Sequence, residues 1–304
     1  MKIVFFGTPA FGRTILERIL DAGIGVPLAV SQPPRTAQRH GRSPRPVPGA
    51  VADFASRNDI PVRAPEHLGT LRDELEKTGP DAFVVASFGR IIPTALLALS
   101  APWVNVHASV LPRYRGASPI PQAILDGLDR TGVSLMRLTE GLDEGPVYAT
   151  RTVPISDSET AASLSESLAA AGGELLVEQL PAITDGSLRP KPQPKRGTSY
   201  SPKLTKSSGR IDWSRDATYL ERFVRAMRPW PTAWTTLDDM PVAVTQASAV
   251  EEGAGAPGEF SDATPLTAAT GDGALRIKRL KPAGKAEMAG DDWLRGRRHG
   301  GRFG

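Results

Sequence analysis

Residues 2–12 read KIVFFGTPAFG, and they decide the class of fold. Lys2–Phe6 is a short, continuous apolar run that ends at Gly7, a pattern typical of a buried parallel strand. Apolar residues then recur every four positions from Phe11 to Ile19, which predicts an amphipathic helix ending near Gly23. A buried strand that leads at once into a helix is the repeating unit of α/β proteins.

The same alternation continues along the first two thirds of the chain. Strands are predicted at Val26–Ser31, Ala82–Ala86 and Trp103–His107, and helices at 51–57, 68–77 and 160–183, the last with a weak point at Gly172-Gly173. This order predicts an α/β fold with a doubly wound, mostly parallel sheet, whose sites lie beyond the carboxyl ends of the strands. The first turn, from Gly7 to Gly12, has only two glycines, and its proline removes an amide. It therefore lacks the GxGxxG pattern of dinucleotide-binding loops, which argues against an NAD-dependent dehydrogenase.

A second, smaller domain is predicted after residue 208. A helix at Tyr219–Met227 is followed by short apolar segments at 233–237, 242–247, 266–269 and 275–280, with Gly, Asp and Pro between them. Short strands separated by such turn residues indicate a small β-barrel or sandwich. Three tryptophans are expected to fill its core, although stacking on unpaired bases stays open for each: Trp213, Trp230 and Trp234.

Length and composition further restrict the class of protein. The chain has 304 residues, more than one hydrophobic core usually serves, so two domains are expected. It has no cysteine, which excludes disulfides, thiolate metal sites and a cysteine nucleophile. No apolar run reaches the length of a membrane span, and no signal sequence is apparent. We expect a soluble, cytoplasmic protein.

Positive charge is concentrated in two places. Residues 1–188 hold 17 basic and 20 acidic side chains, whereas residues 189–304 hold 20 and 13. The stretch 189–215 has eight basic residues and one acid, and residues 33–48 (PPRTAQRHGRSPRPVP) have four arginines and no acid. Pro and Gly predict an exposed loop at 33–48. Such segments are either solvated linkers and mobile loops, or contacts to a polyanion such as a phosphate backbone.

The first candidate catalytic residues lie in the stretch 103–117, WVNVHASVLPRYRGA. Asn105 and His107 stand two apart on a predicted strand, so both side chains project from one face. An amide beside an imidazole suits a reaction in which a carbonyl oxygen gains negative charge. A hydrogen-bonded core histidine is the alternative.

Asp143, in the loop TEGLDEGP at 139–146, is the candidate partner of His107. A nearby carboxylate would fix the tautomer of the imidazole and help it accept a proton. The spacing does not establish this proximity, and an aspartate in a glycine-flanked loop is often a turn residue.

Three separated elements agree in order and spacing with one known family. They are the strand Asn105-Val106-His107, the loop Ser109-Val110-Leu111-Pro112 followed by Arg115-Gly116 and Pro119, and the loop Gly141-Leu142-Asp143-Glu144-Gly145. They resemble the folate-dependent formyltransferases, which also share the opening IVFFGTPAFG, the Arg210-Ile211-Asp212-Trp213 motif and the Pro229–Trp234 motif. Val110 and Ala108 depart from the Leu and Gly that the family commonly has, and neither change removes a polar group.

The resemblance implies a fold, a reaction and its partners. The fold would be a formyltransferase-type Rossmann-like sheet followed by a small OB-like barrel. The donor would be 10-formyltetrahydrofolate, without a metal. The acceptor would be the α-amine of methionine esterified to initiator tRNA, and no membrane or obligate protein partner is implied. Asn105 and His107 would hold the oxyanion, while Asp143 would orient His107 and relay a proton.

The resemblance also implies two sets of binding residues. Folate contacts would come from the loops after two strands: Phe88, Gly89, Ser109, Val110, Leu111 and Pro112. Contacts to tRNA would come from the two basic segments: Arg35, Arg39, Arg42, Arg45, Lys203 and Lys206.

The predicted domains are a catalytic domain at 1–188, a basic, Pro-rich linker at 189–208 and an OB-like tRNA-binding domain at 209–304. Two other functions remain open. A formyltransferase with a small acceptor, such as a nucleotide or an amino sugar, would use the same three catalytic residues. A non-catalytic RNA-binding protein with the same fold would keep them without activity.

Overall fold

The computed structural model describes residues 1–39, 42–297 and 299–304, with the backbone alone at 36–39 and 42–46. The strands are β1 (Lys2–Gly7), β2 (Gly25–Val30), β3 (Arg35–Arg39), β4 (Arg42–Val47), β5 (Val62–Arg63), β6 (Ala82–Ala86), β7 (Trp103–His107), β8 (Arg115–Gly116), β9 (Arg130–Arg137), β10 (Val147–Pro154), β11 (Tyr200–Ser201), β12 (Ala233–Leu237), β13 (Met240–Val250), β14 (Glu259–Phe260), β15 (Thr267–Ala269), β16 (Ala274–Pro282), β17 (Met288–Ala289) and β18 (Gly301–Arg302). The helices are α1 (Ala10–Asp21), α2 (Ala50–Arg57), α3 (Arg72–Thr78), α4 (Thr94–Leu97), α5 (Pro119–Leu125), α6 (Ala161–Thr184), α7 (Ala217–Ala226) and α8 (Gly290–Arg295).

The chain forms two compact units that do not follow one cut in the sequence. The first holds Met1–Pro119, Arg130–Pro154 and Ser165–Ser201, and the second holds Ile120–Asp129, Ile155–Leu164 and Pro202–Gly304.

A seven-stranded sheet in the order β10-β9-β7-β6-β1-β2-β5 forms the first unit. The strands from β5 to β7 pair in parallel, and only the two pairs made by β9, with β7 and with β10, are antiparallel. The chain moves outward from β1 through β2 and β5 on one side and through β6 and β7 on the other. This is the predicted doubly wound, mostly parallel sheet, and β7 is central in it.

Apolar side chains hold the start of β7 in the core. The indole of Trp103 stacks on Phe83 with ring centroids 4.3 Å apart and lies 5.1 Å from Phe6. All three rings are almost fully buried. Because aromatic pairs of this kind contribute beyond their buried area, they fix the strand that ends at the candidate site.

Helix α6 is continuous through Gly172-Gly173, where a weak point was expected from sequence. A Cβ atom at Gly172 would lie 2.8 Å from Cγ1 of Val106, and one at Gly173 would lie 2.9 Å from the side chain of Arg18. The two glycines are required for close packing of α6, and the gain from that packing offsets their low helix propensity of about 1 kcal/mol each.

Gly172→Ala is therefore expected to destabilise the protein, although alanine is the better helix former. The added methyl group would press on Val106, a stiff β-branched residue in a central strand, and overpacking of this kind costs about 1–3 kcal/mol. Gly69→Ala is the matched control, because nothing lies within 4 Å of its Cβ position. Denaturant unfolding should show a lower midpoint for Gly172→Ala alone, and equal midpoints for both variants would contradict the packing argument.

Residues 35–39 and 42–47 pair antiparallel as the two strands of a hairpin, β3 and β4, so the expectation of a loop is wrong for these residues. Pro46 pairs opposite Thr36. An isolated ribbon has two free edges, and proline is tolerated where its missing N–H is not needed by a neighbouring strand. His40 and Gly41 lie outside the described residues.

The second unit is built on an antiparallel sheet in the order β12-β13-β16-β15-β14-β18, with β17 paired to β16. Two backbone hydrogen bonds join Thr236, in β12, to Gly304, two residues after β18, so the sheet curls back on itself as the small barrel that was expected. Trp213 and Phe303 stack inside it at 5.4 Å. In the described parts of both units, no helix is long and apolar enough to cross a membrane.

Candidate active site

Strand β7 ends at the two polar residues singled out by sequence. Its five residues are all buried, and Asn105 and His107 alternate with Val104 and Val106, so the polar pair shares one face of the sheet. Beside β7 run β6, in parallel, and β9, antiparallel, with His107 opposite Ser134. The pair therefore lies at the carboxyl edge of a central strand, where α/β sheets form their sites.

The imidazole of His107 has a defined tautomer. Its Nε2 lies 2.9 Å from the carbonyl oxygen of Tyr114, which can only accept, so Nε2 carries a proton. Its Nδ1 lies 3.7 Å from Oδ2 of Asp143. The two side chains are only 7% and 13% exposed. Nδ1 is thus the nitrogen left for chemistry, and it faces a carboxylate.

Asp143 reaches this position through an unusual backbone conformation. Its φ is +50°, a region in which aspartate is more tolerated than most residues. Its Oδ2 also accepts a hydrogen bond of 2.8 Å from the amide of Gly116. Two residues on, a Cβ at Gly145 would lie only 1.8 Å from the carbonyl oxygen of Arg137, so the loop packs tightly on the end of β9. Asp143 is a turn residue and also the partner of His107.

The carboxamide of Asn105 is buried but uncommitted. The residue is 9% exposed, and no group in the described part of the chain hydrogen bonds its side chain. The carboxamide is not among the enclosed polar atoms that lack a partner, so it reaches solvent and is free to donate to a bound molecule. Such a donor on the same face of β7 as His107 can stabilise an oxyanion that forms on a bound molecule.

The loop after β7 is braced by a serine that sequence reasoning missed. Ser134 is fully buried, and its hydroxyl donates to the carbonyl of Ser109 at 2.7 Å and accepts from the amide of Leu111 at 3.1 Å. The hydroxyl of Ser109 donates in turn to the carbonyl of Arg113 at 2.6 Å. A lone serine inside the apolar run of β9 was the available signal.

The residues expected to contact folate differ in what they expose. Val110 and Pro112 are half-buried, whereas Ser109 and Leu111 are buried. Phe88 and Gly89 are the other two residues expected to contact folate. The ring of Phe88 packs edge-on against Phe6 in the core, and its carbonyl accepts from Nε2 of Gln32 at 2.6 Å. Gly89 has a φ of +74°, and a Cβ there would lie 2.7 Å from the same Nε2, so this loop can offer its backbone rather than the Phe88 ring.

The expected tRNA contacts are only partly described. Arg35, Lys203 and Lys206 are exposed. The side chains of Arg39, Arg42 and Arg45 lie outside the described part of the structure.

The three tryptophans of the second unit have different environments. Trp213 is buried, as expected. The expectation of a core position is wrong for Trp230, which is 57% exposed. Trp234 is half-buried; its indole N–H donates to the carbonyl of Lys206 at 3.0 Å, and the guanidinium of Arg210 lies 5.9 Å from its ring.

Comparisons with known proteins agree with this geometry. The family model described as "Formyl transferase" matches residues 1–180, and that described as "Formyl transferase, C-terminal domain" matches residues 203–298. Proteins named "Methionyl-tRNA formyltransferase" are similar over almost their whole length. Those of Halorhodospira halophila and Gluconobacter oxydans are each 42% identical, covering 98% and 97% of this chain and 96% and 97% of theirs. That of Myxococcus xanthus is 43% identical, covering 97% of this chain and 95% of its own.

Solved structures with a similar fold include HypX of Aquifex aeolicus in complex with tetrahydrofolic acid. It has a TM-score of 0.64 and 21% identity, over 97% of this chain and 47% of that one. An N-formyltransferase of Helicobacter canadensis, in complex with folinic acid and dTDP-3-aminofucose, has a TM-score of 0.65 and 17% identity, over 94% of this chain and 100% of that one. At these identities the likeness concerns the fold.

Proposed function

The chain belongs to the formyl transferase family, and from that premise we propose that it transfers the formyl group of 10-formyltetrahydrofolate to the α-amine of methionine esterified to initiator tRNA, for translation initiation. The observation that carries the choice of acceptor is the near-full-length likeness to proteins named methionyl-tRNA formyltransferase. Both the donor and the reaction agree with the site at the end of β7. A cytoplasmic location, where translation begins, is part of the proposal.

In the proposed reaction the neutral α-amine attacks the formyl carbon. A C–N bond forms to the amine, the carbonyl oxygen becomes an oxyanion, and the bond from that carbon to N10 of the folate then breaks. Asn105 donates to the oxyanion from its uncommitted carboxamide. The amine loses one proton overall and N10 gains one, so the transfer balances without another reactant.

His107 and Asp143 are placed to bind and transfer that proton. Because Nε2 is bonded to the Tyr114 carbonyl, only Nδ1 can exchange a proton with the reacting groups. When protonated, Nδ1 donates to the oxyanion and the Asp143 carboxylate stabilises the imidazolium. Oδ1 of Asp143, which no described residue hydrogen bonds, is available to take the proton that the amine releases.

Binding would be divided between the predicted domains. In the proposal, residues 1–188 bind folate near Phe88, Gly89 and Ser109–Pro112 and carry out the transfer. Residues 189–208 link them to an OB-like tRNA-binding domain at 209–304. Arginines of the β3–β4 hairpin and the exposed Lys203 and Lys206 would contact tRNA phosphates.

A formylation assay with methionine-charged initiator tRNA and 10-formyltetrahydrofolate tests the function directly. We expect formyl-methionyl-tRNA to form and free methionine to remain unmodified. Transfer to a small amine such as an amino sugar nucleotide, with none to the tRNA, would favour the small-acceptor alternative. Binding of tRNA without any transfer would favour a non-catalytic RNA-binding protein.

Arg42→Ala and Arg45→Ala are expected to raise KM for the charged tRNA and to leave folate affinity unchanged. Each arginine that contacts a phosphate contributes about one unit to the slope of log affinity against log salt, so each variant should also flatten that slope by about one. Titration with tetrahydrofolate provides the second readout. Equal losses of tRNA and folate binding would mean that the hairpin supports the fold instead.

A further inference from the structure

We propose that Gln193 is a positioning residue for the transfer reaction: it holds the Asp143 loop, and thereby the carboxylate that faces His107. The proposal rests on the function proposed above. Gln193 stands between two prolines in the stretch RPKPQPKRG at 189–197. From composition, this stretch is a basic linker or a polyanion contact. Neither a linker nor a polyanion contact would need the uncharged carboxamide of Gln193.

The side-chain amide of Gln193 makes four hydrogen bonds, two as donor and two as acceptor. Its Nε2 donates to the carbonyls of Asp143 and Gly145, at 2.8 Å each. Its Oε1 accepts from Nε and Nη2 of Arg115, at 3.1 and 2.9 Å. Exchanging the amide oxygen and nitrogen would turn donors toward a cation and an acceptor toward two carbonyls. The orientation of the side chain is therefore determined by its partners.

This arrangement holds Asp143 at both ends. Gln193 binds its main-chain carbonyl, and the amide of Gly116 binds its Oδ2 at 2.8 Å. Gly116 follows Arg115 in β8, so the residue that binds Gln193 and the residue that binds the carboxylate are neighbours in the chain. The side chain of Arg115 is 11% exposed, and its guanidinium also forms an ion pair with Glu144 at 3.2 Å. The network links the main chain of the loop to the orientation of its carboxylate.

The segment that carries Gln193 is itself anchored. Lys191 exchanges two backbone hydrogen bonds of 2.8 Å with Val147. Further along, the carbonyl of Ser199 accepts from the amide of Arg115, and its hydroxyl accepts from the amide of Tyr114, both at 2.9 Å. The Tyr114 carbonyl is the partner of His107 Nε2. Thus residues 191–199 support both groups that orient His107.

The neighbouring charges explain why a neutral amide is suited to this position. A lysine or arginine, as at Lys191, Lys195 and Arg196, would face the Arg115 guanidinium. A carboxylate would satisfy that guanidinium but would point an acceptor at two carbonyl oxygens. Glutamine supplies donors to the carbonyls and an acceptor to the cation, and asparagine is shorter by one methylene.

Gln193→Leu removes these hydrogen bonds while keeping the size of the side chain. We expect kcat to fall about 10- to 100-fold with little change in KM, since misplacement of a catalytic group by about 1 Å costs up to about 10²-fold. Gln193→Glu, which keeps only the acceptor for Arg115, should be at least as slow. Gln179→Leu on α6 is the matched control and should keep wild-type turnover. A wild-type kcat for Gln193→Leu would overturn the proposal.

A double-mutant cycle separates positioning from general support of the fold. If Gln193 acts through Asp143, Gln193→Leu should cost less than about twofold in kcat when Asp143→Asn is already present. A full 10- to 100-fold loss in that background would mean that the two effects are independent, and would reject the proposal.

Amide hydrogen exchange supplies a readout that does not depend on activity. The Gly116 amide, which donates to Asp143, should exchange about tenfold faster in Gln193→Leu and at the wild-type rate in Gln179→Leu. If wild type forms no formyl-methionyl-tRNA yet this exchange changes, the proposed function fails while the positioning contact stands. If wild type is active and both kcat and exchange are unchanged in Gln193→Leu, the positioning role fails alone.

Discussion

His107→Ala should lower kcat by at least about 10²–10³-fold, the typical cost of removing one donor from an oxyanion site. The substitution removes the only nitrogen, Nδ1, that the geometry leaves free to serve the reacting groups. It also leaves Asp143 without the imidazole that it faces. Folate affinity should change little, because the imidazole acts after the substrates are bound. Single-turnover formylation of charged tRNA measures the effect on chemistry directly.

A loss of stability must be separated from this loss of turnover. The truncation also removes one hydrogen bond to the Tyr114 carbonyl, which keeps the Ser201 hydroxyl at 3.4 Å, and the loss of one such bond costs about 0.5–1.5 kcal/mol. Denaturant unfolding and tetrahydrofolate titration should show that the variant is folded and binds the donor product under assay conditions. His67→Ala is the matched control, since His67 is exposed. Wild-type turnover in a folded His107→Ala variant would assign His107 to the core histidines instead.

The strand that bears the site could be predicted from sequence because its signal is local. Trp103–His107 has the expected bounds, and the spacing of Asn105 and His107 places both on one face. The approach of Asp143 to His107 could not be derived in this way. It depends on a non-glycine residue at φ +50°, on the amide of Gly116 and on the turn between β9 and β10. None of these leaves a periodic pattern in the sequence.

Gln193 is a stronger case of the same limitation. Its partners lie 48 to 78 residues away in the chain, and its surroundings are prolines and cations. Composition describes the segment correctly as basic and rich in proline, but charge alone does not reveal a neutral side chain that bridges two loops. Gly172 was missed for a related reason: helix propensity marks it as weak, whereas its close approach to Val106 requires the absence of a side chain.

The environment of a tryptophan was similarly hard to infer from its type. Trp213 stacks with Phe303 inside the barrel, while Trp230, in the same unit, is 57% exposed. Both are large apolar residues near short strands. Burial was decided by the tertiary position of the loop between α7 and β12, which periodicity does not report.

The oxyanion role of Asn105 makes a separate prediction. Asn105→Ala should reduce kcat by about 10²–10³-fold, the typical cost of removing one preorganised donor from an oxyanion site. Asn105→Asp should be slower still, because a carboxylate of nearly the same shape cannot donate and would repel the oxyanion. Tetrahydrofolate affinity should stay close to wild type in both variants, since the donor is needed most when charge develops on the carbonyl oxygen.

The order of the two variants distinguishes this role from simple packing. If Asn105 only fills space, aspartate should be tolerated better than alanine, because it preserves the volume beside β6 and β9. If it donates to an oxyanion, the alanine variant should be the faster of the two, since a site without a donor is less harmful than one with a like charge. Asn58, the chain's other asparagine, is exposed and bonds only to the carbonyl of Phe54, so Asn58→Ala should keep wild-type turnover. If Asn105→Asp proved faster than Asn105→Ala, Asn105 would therefore move from the chemistry of the site to its support.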